Sequence, residues 1–554
     1  MRMHPSLKSA LVLSAILIIP VLAASTGQAP AAKKPLSYDA YDGWRSIQGT
    51  QLSRDGRWLA YALVPQEGDG ELVVLDLQTN KEYRAPRGRQ QVITADGTFV
   101  VFTVFPPKAE VDKAKKEKKK PEDQPKNALG IMDLSTGQVT TVERVKSFKV
   151  PEDSGTHVAY LLEALLPKPG EKKDEPKKEE VKPEAKPEAK PEAGKEAAKA
   201  EEPKKPEKKK DFGTELIVRA LAGGAEVKIP DVVDYVWNKP GTFLACAVSS
   251  KTPNNDGVIA HDASRSQNAY VIRGLGNYKN LAFDEKGIQL AFTSDRDDYT
   301  AEKSVSKLYH WAEGTPEAVE IVPASAGGFP AGMSVSENGR LRFSKDGGRL
   351  FFGLAPIPKP EPKDAPERVK VDIWNWKDPY LQPMQKVQAD QDRKQTFMAV
   401  MHLGPKEKKF VQLASAEIPN ITLSEDAKTA LGSSDLPYRQ LVSWDQGYQD
   451  VYVVNINDGS RKRVLEKFSG GARLSPGGAW VYYFDQSDKS YYAYRLVDGK
   501  VFNLTGKLGV RFEDEENDLP SDPRPYGSAG WMEGDKAILI YDQYDIWEIA
   551  PDGT

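Results

Sequence analysis

Leu52-Ser53-Arg54-Asp55-Gly56-Arg57-Trp58-Leu59-Ala60-Tyr61 reads as strand, tight turn, strand. Asp-Gly supplies the positive φ that a short hairpin needs, and apolar residues fill the strand behind it. Variants return downstream as Phe283-Asp284-Glu285-Lys286-Gly287-Ile288-Gln289-Leu290-Ala291-Phe292, Phe343-Ser344-Lys345-Asp346-Gly347-Gly348-Arg349-Leu350-Phe351-Phe352 and Leu474-Ser475-Pro476-Gly477-Gly478-Ala479-Trp480-Val481-Tyr482-Tyr483. A hairpin that recurs is a repeat, and the repeat decides the fold.

Each copy has a second half, a strand leading into another turn. Glu71-Leu72-Val73-Val74-Leu75-Asp76-Leu77-Gln78-Thr79-Asn80 is one, and Gly130-Ile131-Met132-Asp133-Leu134-Ser135-Thr136-Gly137 is another. Two hairpins make a four-stranded antiparallel meander, the blade of a β-propeller. In the first copy Trp58, Ala60 and Ala62 alternate with Leu59, Tyr61 and Leu63, so both faces are apolar, as in blades stacked face to face. First hairpins fall near Asp55, Asp96, Asp153, Pro240, Glu285, Asp346, Asp426, Pro476 and Gly534. The expected fold is an all-β propeller of about seven to nine repeats. Because propellers usually close with about four to eight blades, nine units imply either an overcount or the start of a second propeller.

The 554 residues are 39% hydrophobic and 28% charged, ample for a large core. A net charge of -3 provides no global basic field, so nucleic acid is not an expected partner. Cys246 is the single cysteine, which rules out an intrachain disulfide and a cysteine-based metal cluster. It is expected to be a small buried core residue.

Residues 1–29 have the order of a secretory signal: Arg2 and Lys8, an apolar run from Ala10 to Ala23, then small residues. The run is short for a stable span, so export to a bacterial periplasm is expected, with no integral membrane span after signal removal. An uncleaved anchor is the alternative. No cysteine follows the run, which excludes a lipoprotein anchor. A linker (30–37) then precedes the propeller region (38–554). Three insertions interrupt it: a charged one (108–126), a Lys/Glu/Pro/Ala tract (168–210) and a Trp-containing one (356–395). The charged insertions are expected to be disordered. In the tract, proline every few residues forbids a continuous helix and no apolar side chains are available to bury. Trp374 and Trp376 are expected to pack the third insertion onto its own blade, ahead of a short helix ending at Arg393, or else to form a contact surface.

Hydrolytic chemistry is not legible. The chain lacks Gly-x-Ser-x-Gly, a Gly-rich phosphate loop and His-Glu-x-x-His. His4, His157, His261, His310 and His402 are widely separated, with no nucleophile turn beside them. No catalytic residue, metal ligand or cofactor is assigned. The acidic stretch Arg511-Phe512-Glu513-Asp514-Glu515-Glu516-Asn517-Asp518-Leu519-Pro520 suits capture of a peptide's α-ammonium or of a cation, against the plainer reading of a solvated loop.

The repeated hairpin resembles TolB-like propeller blades. Three stretches resemble more narrowly the propeller of exported prolyl oligopeptidase family serine peptidases: Trp374-Asn375-Trp376-Lys377-Asp378-Pro379-Tyr380-Leu381-Gln382-Pro383-Met384-Gln385, then 511–520, then Tyr526-Gly527-Ser528-Ala529-Gly530-Trp531 with Ile540-Tyr541-Asp542-Gln543-Tyr544-Asp545-Ile546-Trp547. The resemblance implies a peptide substrate and a partner α/β-hydrolase domain bearing a Ser, Asp and His triad. It also implies propeller acids that hold the substrate amino terminus, with Glu515 and Glu516 the candidates here. No hydrolase domain lies within these residues, and the last strand runs into the turn Pro551-Asp552-Gly553-Thr554. The expectation is therefore the amino-terminal part of a longer peptidase. The alternative is a non-catalytic propeller scaffolding periplasmic proteins.

Overall fold

The computed structural model describes residues 41–164, 210–252, 254–322, 327–359, 371–404 and 408–554. The signal segment, the linker, nearly all of the 168–210 tract and part of the third insertion lie outside the described residues.

The described chain is a series of nine antiparallel units, with a first hairpin at each of the nine expected places. Units 1, 2, 5, 7 and 8 are separate four-stranded sheets, and unit 9 has three strands, Ser528–Trp531, Ile538–Tyr541 and Ile546–Ile549. Units 3 and 4 share the long strand Glu226–Trp237, so they form one seven-stranded sheet. That strand changes register near Asp231, whose φ is 58°, so its first half closes unit 3 and its second half opens unit 4. In unit 6 two short strands, Met333–Val335 and Arg342–Phe343, both pair with Arg349–Pro356.

The hairpins are built by one recurring set of hydrogen bonds. In Ser53-Arg54-Asp55-Gly56-Arg57-Trp58, the Ser53 hydroxyl donates to Asp55 (2.5 Å), the Arg57 N–H donates to Asp55 and the Trp58 N–H donates to Ser53. Thr94 and Asp96, Ser344 and Asp346, and Ser424 and Asp426 repeat this arrangement. The Ser53 hydroxyl and the Arg57 N–H hold the Asp55 carboxyl below the usual range. Other units reach the same end differently. Asp284 accepts the Ile288 and Gln289 N–H groups, and Asn238 accepts that of Phe243. Unit 8 has Gly477 where units 1, 2, 6 and 7 have aspartate, and the carboxylate comes from unit 9. Asp535 accepts from the Ser475 hydroxyl (2.6 Å), the Gly477 N–H (2.9 Å) and the Ala479 N–H (3.3 Å).

Eight apolar clusters hold the series together, one at each junction of consecutive units. The second strand of a unit supplies both of its neighbours by alternation. Val100 and Phe102 face unit 1 while Val101 faces unit 3, and Leu350 and Phe352 face unit 5 while Phe351 faces unit 7. Two-faced burial therefore holds for the interior units. Unit 1 differs: Trp58, Ala60 and Ala62 are buried against unit 2, but Leu59, Tyr61 and Leu63 are only half-buried. Among the described residues no unit precedes its outer face and no cluster joins it to unit 9.

The charged insertion at 108–126 is folded rather than disordered. Lys108–Lys116 is a helix whose Ala114 is buried, and it is tied to unit 1 by Lys108 to Glu67 and by the Lys108 N–H to Asp69 (2.8 Å). Expected disorder fails here because one apolar side chain and two side-chain tethers suffice to seat two turns of helix. In the third insertion the expected helix is present as Gln382–Arg393. The tryptophans do not pack onto their blade, since Trp374 is 63% and Trp376 86% exposed. Polar contacts anchor the loop to unit 7 instead, with the Tyr380 hydroxyl on Asp435 (3.0 Å) and Gln440 on the Asp378 carbonyl (3.2 Å).

Candidate functional site

The first strands of units 2 to 6 face a common cavity of about 1080 Å³. Gln90 and Val92 come from unit 2, Lys149 from unit 3, Trp237 from unit 4, Phe283 from unit 5 and Phe343 from unit 6. Because the first strands of these five units turn toward one another, five hairpins far apart in sequence contribute to one wall. The volume lies just above the range of about 300–1,000 Å³ usual for small-molecule pockets.

Charged side chains from successive hairpins cross-link the rim. Lys239 pairs with Glu285 of unit 5 (2.6 Å) and Glu152 of unit 3 (3.3 Å). Arg342 donates to the Glu425 carbonyl of unit 7 (2.8 Å), and Arg54 of unit 1 reaches Asp153 of unit 3 (2.7 Å). These pairs are largely solvated, each worth about 0–1 kcal/mol, so they set the position of the hairpins more than their stability. Buried donors do the tighter joining. Asn238 donates to the Gly287 carbonyl (3.0 Å) and Gln289 to the Gly347 carbonyl (3.2 Å). Gly347 has φ 74°, and a Cβ there would meet Gln289 Nε2 at 2.8 Å, so glycine is needed for both conformation and approach.

The wall alternates aromatic edges with paired ions and backbone polar groups. Trp237 donates its indole N–H to the Lys149 carbonyl (3.1 Å), and Lys149 itself reaches the Tyr235 carbonyl. Such a surface suits an extended chain carrying both apolar side chains and amide groups.

Glu515 and Glu516 do not line this cavity. They sit exposed on the loop between units 8 and 9, which is fastened by Phe512 in the apolar cluster and by the Asp514 N–H on the Arg524 carbonyl. Glu515 lies 3.8 Å from Arg511, and Glu516 accepts from Gln543 (3.3 Å). The buried acid of this loop is Glu513, 3% exposed and paired with Arg511 (2.9 Å).

Of the histidines, His157 and His261 lie close enough for their charges to interact. His261 contacts Asn268 (2.8 Å), His310 contacts Gln289 (2.9 Å) and His402 contacts the Ile456 carbonyl (3.1 Å), each within or between strands. Burial lowers the pKa of all three, that of His310 to about 4. Among the described residues no serine–histidine–carboxylate constellation and no group of metal-binding side chains occurs. No helix among them is long and apolar enough to cross a membrane. Sequence reasoning missed the cavity because its lining carries no motif. The available signal was the repeat itself, which gives the first strands of successive units equivalent places.

No protein-family model matches the chain, and no curated protein matches it. Solved structures do. The tricorn protease aligns at 11% identity and TM-score 0.32, over 84% of this chain and 39% of that one. The β-propeller domain of the Trilobed protease from Pyrococcus furiosus aligns at 11% identity and TM-score 0.29, over 76% of this chain and 99% of that one. An acylaminoacyl peptidase from Pyrococcus horikoshii aligns at 9% identity and TM-score 0.30, over 81% of this chain and 59% of that one. The chain thus spans well under two thirds of the tricorn protease's length. At these identities and TM-scores the alignments assign no role to this chain.

Proposed function

We propose that this chain is the propeller portion of an exported serine peptidase and that the cavity bounded by units 2 to 6 receives an extended peptide. The observation that carries peptide binding is the cavity of about 1080 Å³, bounded by the first strands of five units and rimmed by paired charges. The peptidase assignment is supported by the three stretches that resemble prolyl oligopeptidase family propellers. On this reading peptide-bond cleavage belongs to a serine outside these residues, through an acyl-enzyme. The propeller selects what reaches it. Glu515 and Glu516 would meet a substrate ammonium only at the outer loop, and export to the periplasm follows from the signal-like residues 1–29.

Peptide binding is testable on the chain itself. Ala282 lines the cavity and belongs to none of the apolar clusters between units, so Ala282→Trp fills space without disturbing the core. Fluorescence polarisation of a labelled unstructured hexapeptide is expected to report saturable binding that weakens at least about tenfold in the variant. Undiminished affinity in a variant with unchanged thermal unfolding would remove the cavity from the account.

A further inference from the structure

Pro86-Arg87-Gly88-Arg89 joins unit 1 to unit 2, with the arginines two residues apart. Both side chains line a second cavity, of about 460 Å³, between the 64–70 turn of unit 1, Phe105 and the helix Lys108–Lys116. Most arginines that the fold employs at the surface are neutralised: Arg57 by Asp76, Arg84 by Glu71 and Glu82, Arg495 by Asp498. These two are not. Arg87 gives one hydrogen bond, Nη1 to the Phe105 carbonyl (3.2 Å). Arg89 stacks over Phe105 at 5.4 Å, and its Nε is sealed from solvent without a hydrogen-bond partner. Neither guanidinium pairs with a carboxylate among the described residues.

The surroundings keep room for a ligand. Gly70 lines the cavity in close packing, where a Cβ would meet the Leu63 carbonyl at 2.8 Å and Arg89 Nη2 at 3.2 Å, so the room is that of the cavity of about 460 Å³ itself. Lys115 adds a third positive charge to the lining. Of the acids there, Asp69 accepts the backbone N–H of Lys108 and Asp112 lies on the helix, while Lys108 itself is taken by Glu67. A partly desolvated guanidinium with an unused N–H is costly unless something accepts from it, and its planar fork matches two oxygens on one atom.

We propose that Arg87 and Arg89, with Lys115, bind an oxyanion, either the carboxylate of a peptide or a phosphate group. Asn127 lines both this pocket and the larger cavity of units 2 to 6, and Gln90, next to Arg89, lines the latter. A peptide threaded in the cavity therefore has a place nearby for its carboxyl end. That assignment rests on the peptide-binding reading above, whereas oxyanion binding as such does not.

The test measures binding of three probes to the purified chain: a tetrapeptide labelled at its amino terminus with a free carboxyl end, the same peptide as its amide, and inorganic phosphate. The free acid is expected to bind about tenfold tighter than the amide, and Arg89→Gln to abolish that difference. Saturable phosphate binding that is lost in Arg89→Gln, with free acid and amide alike, keeps the oxyanion site and removes the peptide assignment. The inference is overturned if neither anion binds, or if Arg89→Gln binds them as the unaltered chain does. Lys115→Gln, on the helix rather than in a strand, gives the same comparison with a severalfold smaller effect should Arg89→Gln fail to fold.

Discussion

Moving the Asp535 carboxylate back into the hairpin it serves should reveal how units 8 and 9 are joined. In four other units the aspartate lies in the hairpin, at the position that Gly477 holds in unit 8. Asp535, 7% exposed, accepts two short bonds and one longer one across the junction. Hydrogen bonds to a charged acceptor contribute about 1.5–3 kcal/mol each. Counting the two short ones near the lower value, Asp535→Ala should weaken the junction by about 3–4 kcal/mol, leaving the buried Ser475 hydroxyl without its acceptor. Gly477→Asp alone should also destabilise. Its Cβ would meet Asp535 Oδ2 at 2.9 Å, and two carboxylates would share one site. Together the two changes should nearly restore stability, because the carboxylate introduced in the hairpin would then bond Ser475 as Asp55 bonds Ser53. A series of units need not unfold in one step, so the assay is amide hydrogen exchange at Trp480 and its strand neighbours rather than a global midpoint. The expected result is a double-mutant cycle with a favourable coupling of several kcal/mol. Additive losses would refute the reasoning.

Two further outcomes follow from buried groups. Folded His310 titrates at about 4 against an ordinary 6.5, chiefly through burial, with Lys408 adding to the shift. As pH falls from 6.5 to 4 the unfolded chain takes up a proton that the folded chain refuses, so stability declines across that window. His310→Gln should show a smaller decline in urea midpoint between about pH 7 and about pH 4.5 than the unaltered chain; an equal decline would contradict the assignment. Cys246 is fully buried in the core between units 3 and 4, and burial pushes its thiol pKa up. It should resist alkylation by iodoacetamide until the chain is unfolded, as read by mass spectrometry, and rapid native labelling would contradict this.

The repeat was legible because Ser53, Asp55 and Gly56 satisfy one another locally, and local chemistry leaves a local pattern. Hairpins such as those at Asp346 and Asp426 were found for the same reason. Contacts that cross units leave no such mark. Asp535 completes a turn 60 residues earlier, and nothing about Glu533-Gly534-Asp535 announces it. The shared strand Glu226–Trp237 reads as one run because the break at Asp231 is a backbone conformation, not a residue class. The site divides in the same way. Acid-rich 511–520 stands out by composition, yet the cavity draws single residues from five strands. Arg87 and Arg89 are two ordinary arginines until Gly70 and Phe105 close around them. Trp374 and Trp376 invited a packing reading, but tryptophan can be left exposed when Tyr380 and Gln440 carry the loop's anchoring.

The central claim is that this propeller serves a serine peptidase, and the most direct test is chemical. The protein should be captured from its native source with an antibody against residues 41–554, treated with a fluorophosphonate probe and digested for mass spectrometry. The account predicts a probe-modified serine, outside these residues, on the captured polypeptide. Capture of the propeller with no probe-modified serine would contradict it and leave a binding scaffold as the better description.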